Sequence, residues 1–373
     1  MRIRRADLDA FALPLARPLP APRAPADYRQ GLLLRLADEE GSSAFGEAAP
    51  LAGFSPDTLA SARRDLEHFC RTARERPPPA GLEVLDGGFE AWLGPAGYGP
   101  AARFAVEAAV LGLVAARHGR SLGRLLNPDA PTTVAMNGLV SGPKKDAADA
   151  AGRLVRAGYT TLKLKAGGLP AELEADRIAV VREAMGPGTR LRVDANRAWS
   201  VATARSVLGG LGSQAEAAAI DYVEEPARDL AGFRALGALG LTPLALDEGL
   251  GELAPAGLAD IAGLHAVVLK PTLLGLEGAA AFAREARRLG LGAVVGSTFE
   301  SGIGIGILAQ LAAAWAPPAC AAGLGTLEWF GRDLRLTPLE TTPGIITVDP
   351  APAAPPGLDP SLLSPRHGIA IRP

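Results

Sequence analysis

From Thr133 onward the chain repeats one pattern: a short apolar run, an alanine-rich segment with helical spacing, and another apolar run. The runs lie at 134–140, 160–166, 190–196, 221–226, 243–249, 266–272, 292–298 and 321–326, a pitch of about twenty to thirty residues that suits strands alternating with helices. Segments such as Asp146 to Arg156, Ala175 to Ala184 and Glu277 to Leu289 supply the helices between them. Such a chain folds as a closed parallel barrel or as an open doubly wound sheet. The open sheet favours a glycine-rich phosphate turn after an early strand. No GxGxxG stands there, and GIGIG after Ser301 reads more simply as a tight helix entry. The pattern therefore predicts a parallel α/β barrel.

Before the barrel the texture differs. Residues 2–15 alternate as a strand does, and Gly31 to Leu36, DEEG, and Ala44 to Ala49 read as a hairpin. The proline-rich loop between them, 17–30, carries Arg23, Tyr28 and Arg29. Ser55-Pro56-Asp57 reads as a helix start, with the helix running to about Arg74, and a second helix is expected from about Ala101 to His118. The expected organisation is an α+β unit over 1–130, the barrel over 131–330, and a segment over 331–373. That last segment is proline-rich from about Thr337, and its closing run HGIAIRP is expected to return to the N-terminal unit.

Hydrophobic residues make up 48% of the chain and net charge is −2, which predicts a soluble globular protein and gives no electrostatic case for binding nucleic acid or an anionic membrane. Cys70 and Cys320 match no metal or redox spacing, which fits a reducing compartment. The start MRIRRADLDAFALPLARP lacks the apolar core of a signal peptide. The most apolar window, 302–316, contains Gln310, stops at Pro317 and Pro318, and is too short to span a bilayer. The reading is cytoplasmic.

The chemistry concentrates at the ends of the expected strands, where barrels of this kind build their sites. In Thr161-Leu162-Lys163-Leu164-Lys165 the two lysines share one face of a strand. Asp194, Glu224 and Asp247 follow on three successive strands, 30 and 23 residues apart, and Lys270 on the next. Such carboxylates could merely cap following helices. Three in register beside lysines instead suit Mg²⁺ or Mn²⁺, and without Cys or His do not suit zinc. A lone lysine is ordinarily solvated; two on one face of an apolar strand are not. A lysine works as a base when neutral, and burial, a neighbouring ammonium or a nearby cation lowers its pKa. A small carboxylate substrate held by the metal could lose its α-proton to such a lysine, giving an enediolate.

The series KLK, DAN, EEP, DE and KP in this order resembles the enolase superfamily, in particular its muconate-lactonizing subgroup, over nearly the whole chain. The resemblance implies a modified (β/α)7β TIM barrel, with an N-terminal α+β capping domain completed by the C-terminal tail. It implies Asp194, Glu224 and Asp247 as Mg²⁺ ligands, with Lys165 and Lys270 flanking the substrate. GSTFESGIG (296–304), ARFAVE (102–107) and GLGTLEWFGRDL (323–334) resemble segments of the o-succinylbenzoate synthase family of menaquinone biosynthesis. That family's reaction would make Lys165 the base and then the acid of a syn dehydration of 2-succinyl-6-hydroxy-2,4-cyclohexadiene-1-carboxylate. Lys270 would lie over the opposite ring face, Lys163 would tune Lys165, and Asn196 would support the site. Ser297, Ser301, Tyr28 and Arg29 would hold the succinyl arm. Two departures bear on the substrate: PTLLGLEG after Lys270, where paired glycines are common, and Gly325 in place of a common aspartate. N-acylamino acid racemases, dipeptide epimerases and muconate cycloisomerases share the site. Ser297-Thr298-Phe299, lacking an acidic DxD pair, argues against the epimerase. A non-catalytic enolase-like binding protein would be free to lose these six positions, and all six are present. A homo-oligomer is compatible with the sequence.

Overall fold

The computed structural model describes residues 1–373 apart from 20–26, 76, 80, 95–96, 212–219, 318–319, 352–355 and 365–373. Arg23 and the HGIAIRP run therefore lie outside the described residues.

The chain opens with an antiparallel meander, β1 (Ile3–Pro14), β2 (Tyr28–Asp38) and β3 (Ser43–Ala48). The register pairs Pro14 with Tyr28 and Leu32 with Ala48. The continuous run GLLLRL in β2 is explained by burial on both faces. Leu32, Leu34 and Leu36 pack with residues of the helices Leu59–Thr72 and Pro100–Arg117, whereas Leu33 packs with Phe11, Leu13, Ile303 and Phe330 on the other side. At Gly46 the second helix comes so near that a Cβ would stand 1.8 Å from the Ala105 carbonyl oxygen, so only glycine fits. The first helix is capped by Thr58 in a reciprocal box with Ser61, three residues later than the sequence suggests. Ser55 and Asp57 are occupied elsewhere: Ser55 Oγ accepts from Leu51 N (2.8 Å), and Asp57 Oδ2 accepts from Ala101 N (3.0 Å).

The run 134–140 divides. Its first part, β4 (Thr133–Ala135), pairs with a strand near the C-terminus, and its second, β5 (Gly138–Val140), begins the barrel sheet. That sheet is parallel and consecutive: β5, β6 (Thr161–Lys165), β7 (Arg190–Asp194), β8 (Ile220–Glu224), β9 (Leu244–Leu246), β10 (Leu264–Leu269) and β11 (Gly292–Val295). Where the eighth run is expected, isolated parallel bridges join Gly323 to Gly296 and Ala322 to Met136, drawing the last strand toward the first. The result is a curled, TIM-barrel-like sheet, with helices such as Lys144–Ala157, Ala171–Met185 and Leu276–Arg288 following strands.

Alternation along these strands sorts the residues. Leu162, Leu164, Leu191, Val193, Val223, Leu244, Leu246, Val267 and Leu269 form one apolar layer with helix residues such as Ile178, Val181 and Phe282. The residues between them, Lys163, Lys165, Arg192, Asp194, Tyr222, Glu224, Val268 and Lys270, take the opposite face. After β12 (Thr341–Thr342) and β13 (Ile345–Thr347), which carries β4, the chain reaches β14 (Leu363–Ser364). β14 adds to the edge of β1 at Ala10 and Phe11, so the C-terminal segment does return to the N-terminal sheet. Among the described residues no helix is long and apolar enough to cross a membrane.

Candidate active site

The C-terminal ends of β6 to β10 bring together all six charged residues singled out in the sequence. Lys163 Nζ lies 2.8 Å from Asp194 Oδ2 and 2.7 Å from Glu224 Oε2. Lys165 Nζ lies 2.6 Å from Asp194 Oδ2 and 2.9 Å from Asn196 Oδ1. Lys270 Nζ donates to Asp247 Oδ2 and sits 4.4 Å from the centre of the Phe54 ring, which the N-terminal unit supplies. Asp194 and Glu224 are wholly buried, and Asp247 nearly so.

The electrostatics follow from packing unlike charges out of water. Burial acts to raise the Asp194 carboxyl, but Lys163 and Lys165 outweigh it and hold that group below the usual carboxylate range. Glu224 goes the other way: burial, then the negative charges of Asp194 and Asp247, push it up to about 7 despite Lys163. Burial likewise raises Asp247 and Glu248. Burial alone would lower Lys163 and Lys270, but Asp194 and Glu224 raise the first well above its ordinary value, and Asp247 raises the second. For these two lysines the carboxylate partners outweigh burial.

Among the described residues no three Asp, Glu, His or Cys side chains are gathered tightly enough to hold a metal as they lie; ammonium groups lie against all three carboxylates. Their chemistry nevertheless fits a hard cation. All donors are oxygen, Glu224 is buried with its carboxyl pushed up, and Glu248 Oε2 is buried beside them without a partner.

The loops after the strands are strained where they turn. Asn196 (φ 43°), Arg197 (φ 61°), Glu225 (φ 43°) and Phe299 (φ 65°) are the non-glycine residues with positive φ among those described, and all four border this site. Glu225 ties three strand ends together, accepting from Asp247 N (2.8 Å), Gly249 N (2.7 Å) and Arg197 Nε (3.0 Å). Asn196 joins Lys165 to Glu248, donating to Glu248 Oε1 at 3.2 Å.

Above the carboxylates lies a cavity of about 440 Å3, lined by Lys163, Lys165, Lys270, Asn196 and Glu224, with Leu51, Phe54, Ser297, Thr298 and Phe299 on its walls. Ser297 belongs to it, with its Oγ donating to Glu300 Oε2 at 2.7 Å and 2.8 Å from Thr326 Oγ1. Three other residues expected to hold a substrate arm do not line this cavity. Ser301 is fully buried as the cap of the helix Gly302–Trp315, bonded to Glu47. Tyr28 is 52% exposed at the start of β2. Arg29 is buried, with its donors spent on backbone carbonyls. Sequence reasoning missed Phe54, Phe299, Glu225 and Glu248. The second acids of the EEP and DEG motifs mark the last two.

Comparison with known proteins agrees with this geometry. Residues 146–358 match the enolase C-terminal domain-like family, and residues 3–77 match the MenC N-terminal domain. The chain is 30% identical over 322 residues to o-succinylbenzoate synthase of Klebsiella pneumoniae, covering 86% of this chain and 90% of that one. It is 30% identical over 352 residues to Protein PHYLLO, chloroplastic, of Arabidopsis thaliana, covering 84% of this chain but only 20% of that protein, so it spans about a fifth of that relative. It is also 27% identical over 331 residues to L-Ala-D/L-Glu epimerase of Bacillus subtilis, covering 84% and 85%. Among solved structures, an enolase-superfamily member from Roseovarius nubinhibens complexed with magnesium superposes with a TM-score of 0.85 at 22% identity, covering 99% of each chain. A substrate-liganded L-Ala-D/L-Glu epimerase from Bacillus subtilis does so at 0.81 and 24%, covering 96% and 98%. With the curled parallel sheet, the ordered lysines and carboxylates at its strand ends and these matches, the chain belongs to the enolase superfamily.

Proposed function

We propose that this protein is a Mg²⁺-dependent o-succinylbenzoate synthase, a hydro-lyase acting on 2-succinyl-6-hydroxy-2,4-cyclohexadiene-1-carboxylate in menaquinone biosynthesis. The observation that carries the reading is a single cavity lined by Lys165 and Lys270, with acid-rich strand ends beneath it. Relatives bearing that name and the MenC N-terminal match support it.

Asp194, Glu224 and Asp247 would hold the cation. When bound, it would supply a Lewis acid for the substrate carboxylate and take over the counter-charge the lysines now provide. Lys165, as the neutral amine, takes the proton alpha to the carboxylate and becomes an ammonium, the C–H electron pair forms the ring double bond, and the C–OH bond breaks. Lys165 then returns that proton to the leaving hydroxide, so water and the aromatic product form with no net change at the lysine. Lys163, fixed between Asp194 and Glu224, holds the carboxylates apart and keeps positive charge beside Lys165. Lys270 presents its ammonium to the other face of the ring, steadied by Phe54. Asn196 orients Lys165, and Ser297 lines the wall where the succinyl arm would lie.

Racemisation of N-succinyl or other N-acylamino acids is the second reading. It is favoured by the same pair of lysines and by the similarity to an epimerase. The test is the purified protein with Mg²⁺, with kcat/KM for o-succinylbenzoate formation compared with that for N-succinylamino acid racemisation. Efficient dehydration is the expected result. Efficient racemisation alone would keep the lysine roles and overturn the synthase assignment.

A further inference from the structure

Arg29 offers a donor set with an unusual distribution of partners. Its Nε donates to Phe299 O (3.0 Å), Nη1 to Gln30 O (3.0 Å) and Pro50 O (2.9 Å), and Nη2 to Thr298 O (3.1 Å) and Ala49 O. A guanidinium has five N–H donors, and every one here ends on a main-chain carbonyl. No carboxylate bonds it directly; Glu300 and Glu47 act on it only through space. The residue is 3% exposed. It therefore has no N–H left for a ligand, and the expectation that it grips the substrate gives way to an indirect role.

Apart from Gln30 O on its own strand, the carbonyls it gathers come from two separate segments that wall one cavity. Ala49 and Pro50 lead directly into Leu51, Gly53 and Phe54, and Phe54 carries the ring set against Lys270. Thr298 and Phe299 form another part of that wall, at a left-handed turn (φ 65° at Phe299) that a bulky residue does not adopt unaided. The Phe299 ring is braced independently, lying edge-on to Trp329 at 5.5 Å. Arg29 thus spans the seam between the N-terminal unit and the barrel and fixes both walls through their backbone.

We propose that Arg29 is a positioning residue that ties the wall segment 49–54 to the wall segment 298–299, sets the aperture of the cavity they line, and thereby governs which acyl arm the site accepts. The substrate half of this statement rests on the function proposed above; the aperture half does not. Losing the guanidinium strands up to four carbonyls that strand pairing cannot satisfy, so both walls loosen together while the lysines and carboxylates keep their own bonds.

The experiment compares Arg29→Met and Arg29→Lys with the wild type by peptide-resolved hydrogen exchange and by steady-state kinetics on both candidate substrates. Residues 51–55 and 298–301 are expected to gain exchange together in Arg29→Met, with β6 to β8 unchanged. Arg29→Lys, with three donors, should fall between. KM for the substrate is expected to rise roughly tenfold, about the worth of one mis-set hydrogen bond, with kcat changing far less. If exchange rises only around 28–30, or kcat falls while KM holds, the proposal is overturned. If Arg29→Met does not fold, Arg29→Lys carries the same two readouts. Should the wild type prove inactive on both substrates, the function fails but the paired exchange still decides the aperture.

Discussion

Lys165 is held by Asp194 on one side and Asn196 on the other, so its Nζ stays in the cavity rather than swinging toward solvent. Removing it should leave the strand intact, because Leu162 and Leu164 supply that strand's buried contacts. Lys165→Ala is expected to lower kcat by about 10³-fold or more, within the range of general acid–base contributions, with circular dichroism and Mg²⁺ affinity retained. Turnover within tenfold of wild type would remove Lys165 from its role. These positions were legible because charge on an apolar strand is conspicuous at period two. Phe54 was not: its ring meets Lys270 across more than two hundred residues, and nothing in GFSP announces a cation. Arg29 was legible as important and misleading as to how, since a sequence shows a guanidinium but not the carbonyls that surround it.

At the scale of elements, the helix Gly302–Trp315 shows how the two units are joined. Its first N–H groups need acceptors, and they find Glu47 of β3: Ser301 N at 2.9 Å and Gly304 N at 2.9 Å, with Ser301 Oγ bonded as well. Burial pushes the Glu47 carboxyl up to about 7 against these bonds. The sign then follows. Below the ordinary carboxyl range both folded and unfolded states hold the proton; between there and about 7 only the folded state does, so stability falls as pH rises through that window and levels off above it. In the presence of chelator, thermal unfolding should show the protein less stable at pH 8 than at pH 5.5. Glu47→Gln should reduce that difference by ~2 kcal/mol at most. Glu107 and Glu224, raised likewise, contribute equally to both proteins and cancel in the difference. An unchanged slope would show that Glu47 is ionised in the fold throughout. The strand and helix pattern of the barrel was readable from periodicity, since each strand buries an apolar face. The division of 134–140 was not, because which half pairs with Ile345–Thr347 depends on a partner some two hundred residues away.

For the molecule as a whole, the cap and barrel share charges as well as surface. Glu107 of the cap helix accepts from Leu276 N (2.6 Å) and Glu277 N (3.0 Å), Arg103 bonds Glu277 (2.9 Å), and Glu277 in turn accepts from Gly87 and Glu90. Polar groups so deeply interlocked leave neither unit a low-cost way to open alone. The carboxylates at the strand ends act in the opposite sense: without a cation they are acids taken out of water, and that burial pushes Glu224 and Asp247 up. A ligand that binds the folded form alone stabilises all of it by mass action, about 2.7 kcal/mol at a hundredfold excess over Kd. Mg²⁺ is therefore expected to shift the thermal transition of cap and barrel upward together, by a few degrees for a chain of this size. Asp247→Ala should abolish the shift, since it removes one of the three oxygen donors proposed for the cation and leaves Lys270 without its Asp247 partner. Tryptophan emission from variants in which Trp315 and Trp329 are replaced by Phe and only Trp92, in the cap, or only Trp199, after β7, is kept reports the two units separately. Coincident, Mg²⁺-dependent transitions at both would mean the site's charge balance is felt through the whole fold. A shift confined to Trp199 would mean that the interlocked acids do not couple the cap to the metal, and an Mg²⁺ shift surviving in Asp247→Ala would place the cation elsewhere.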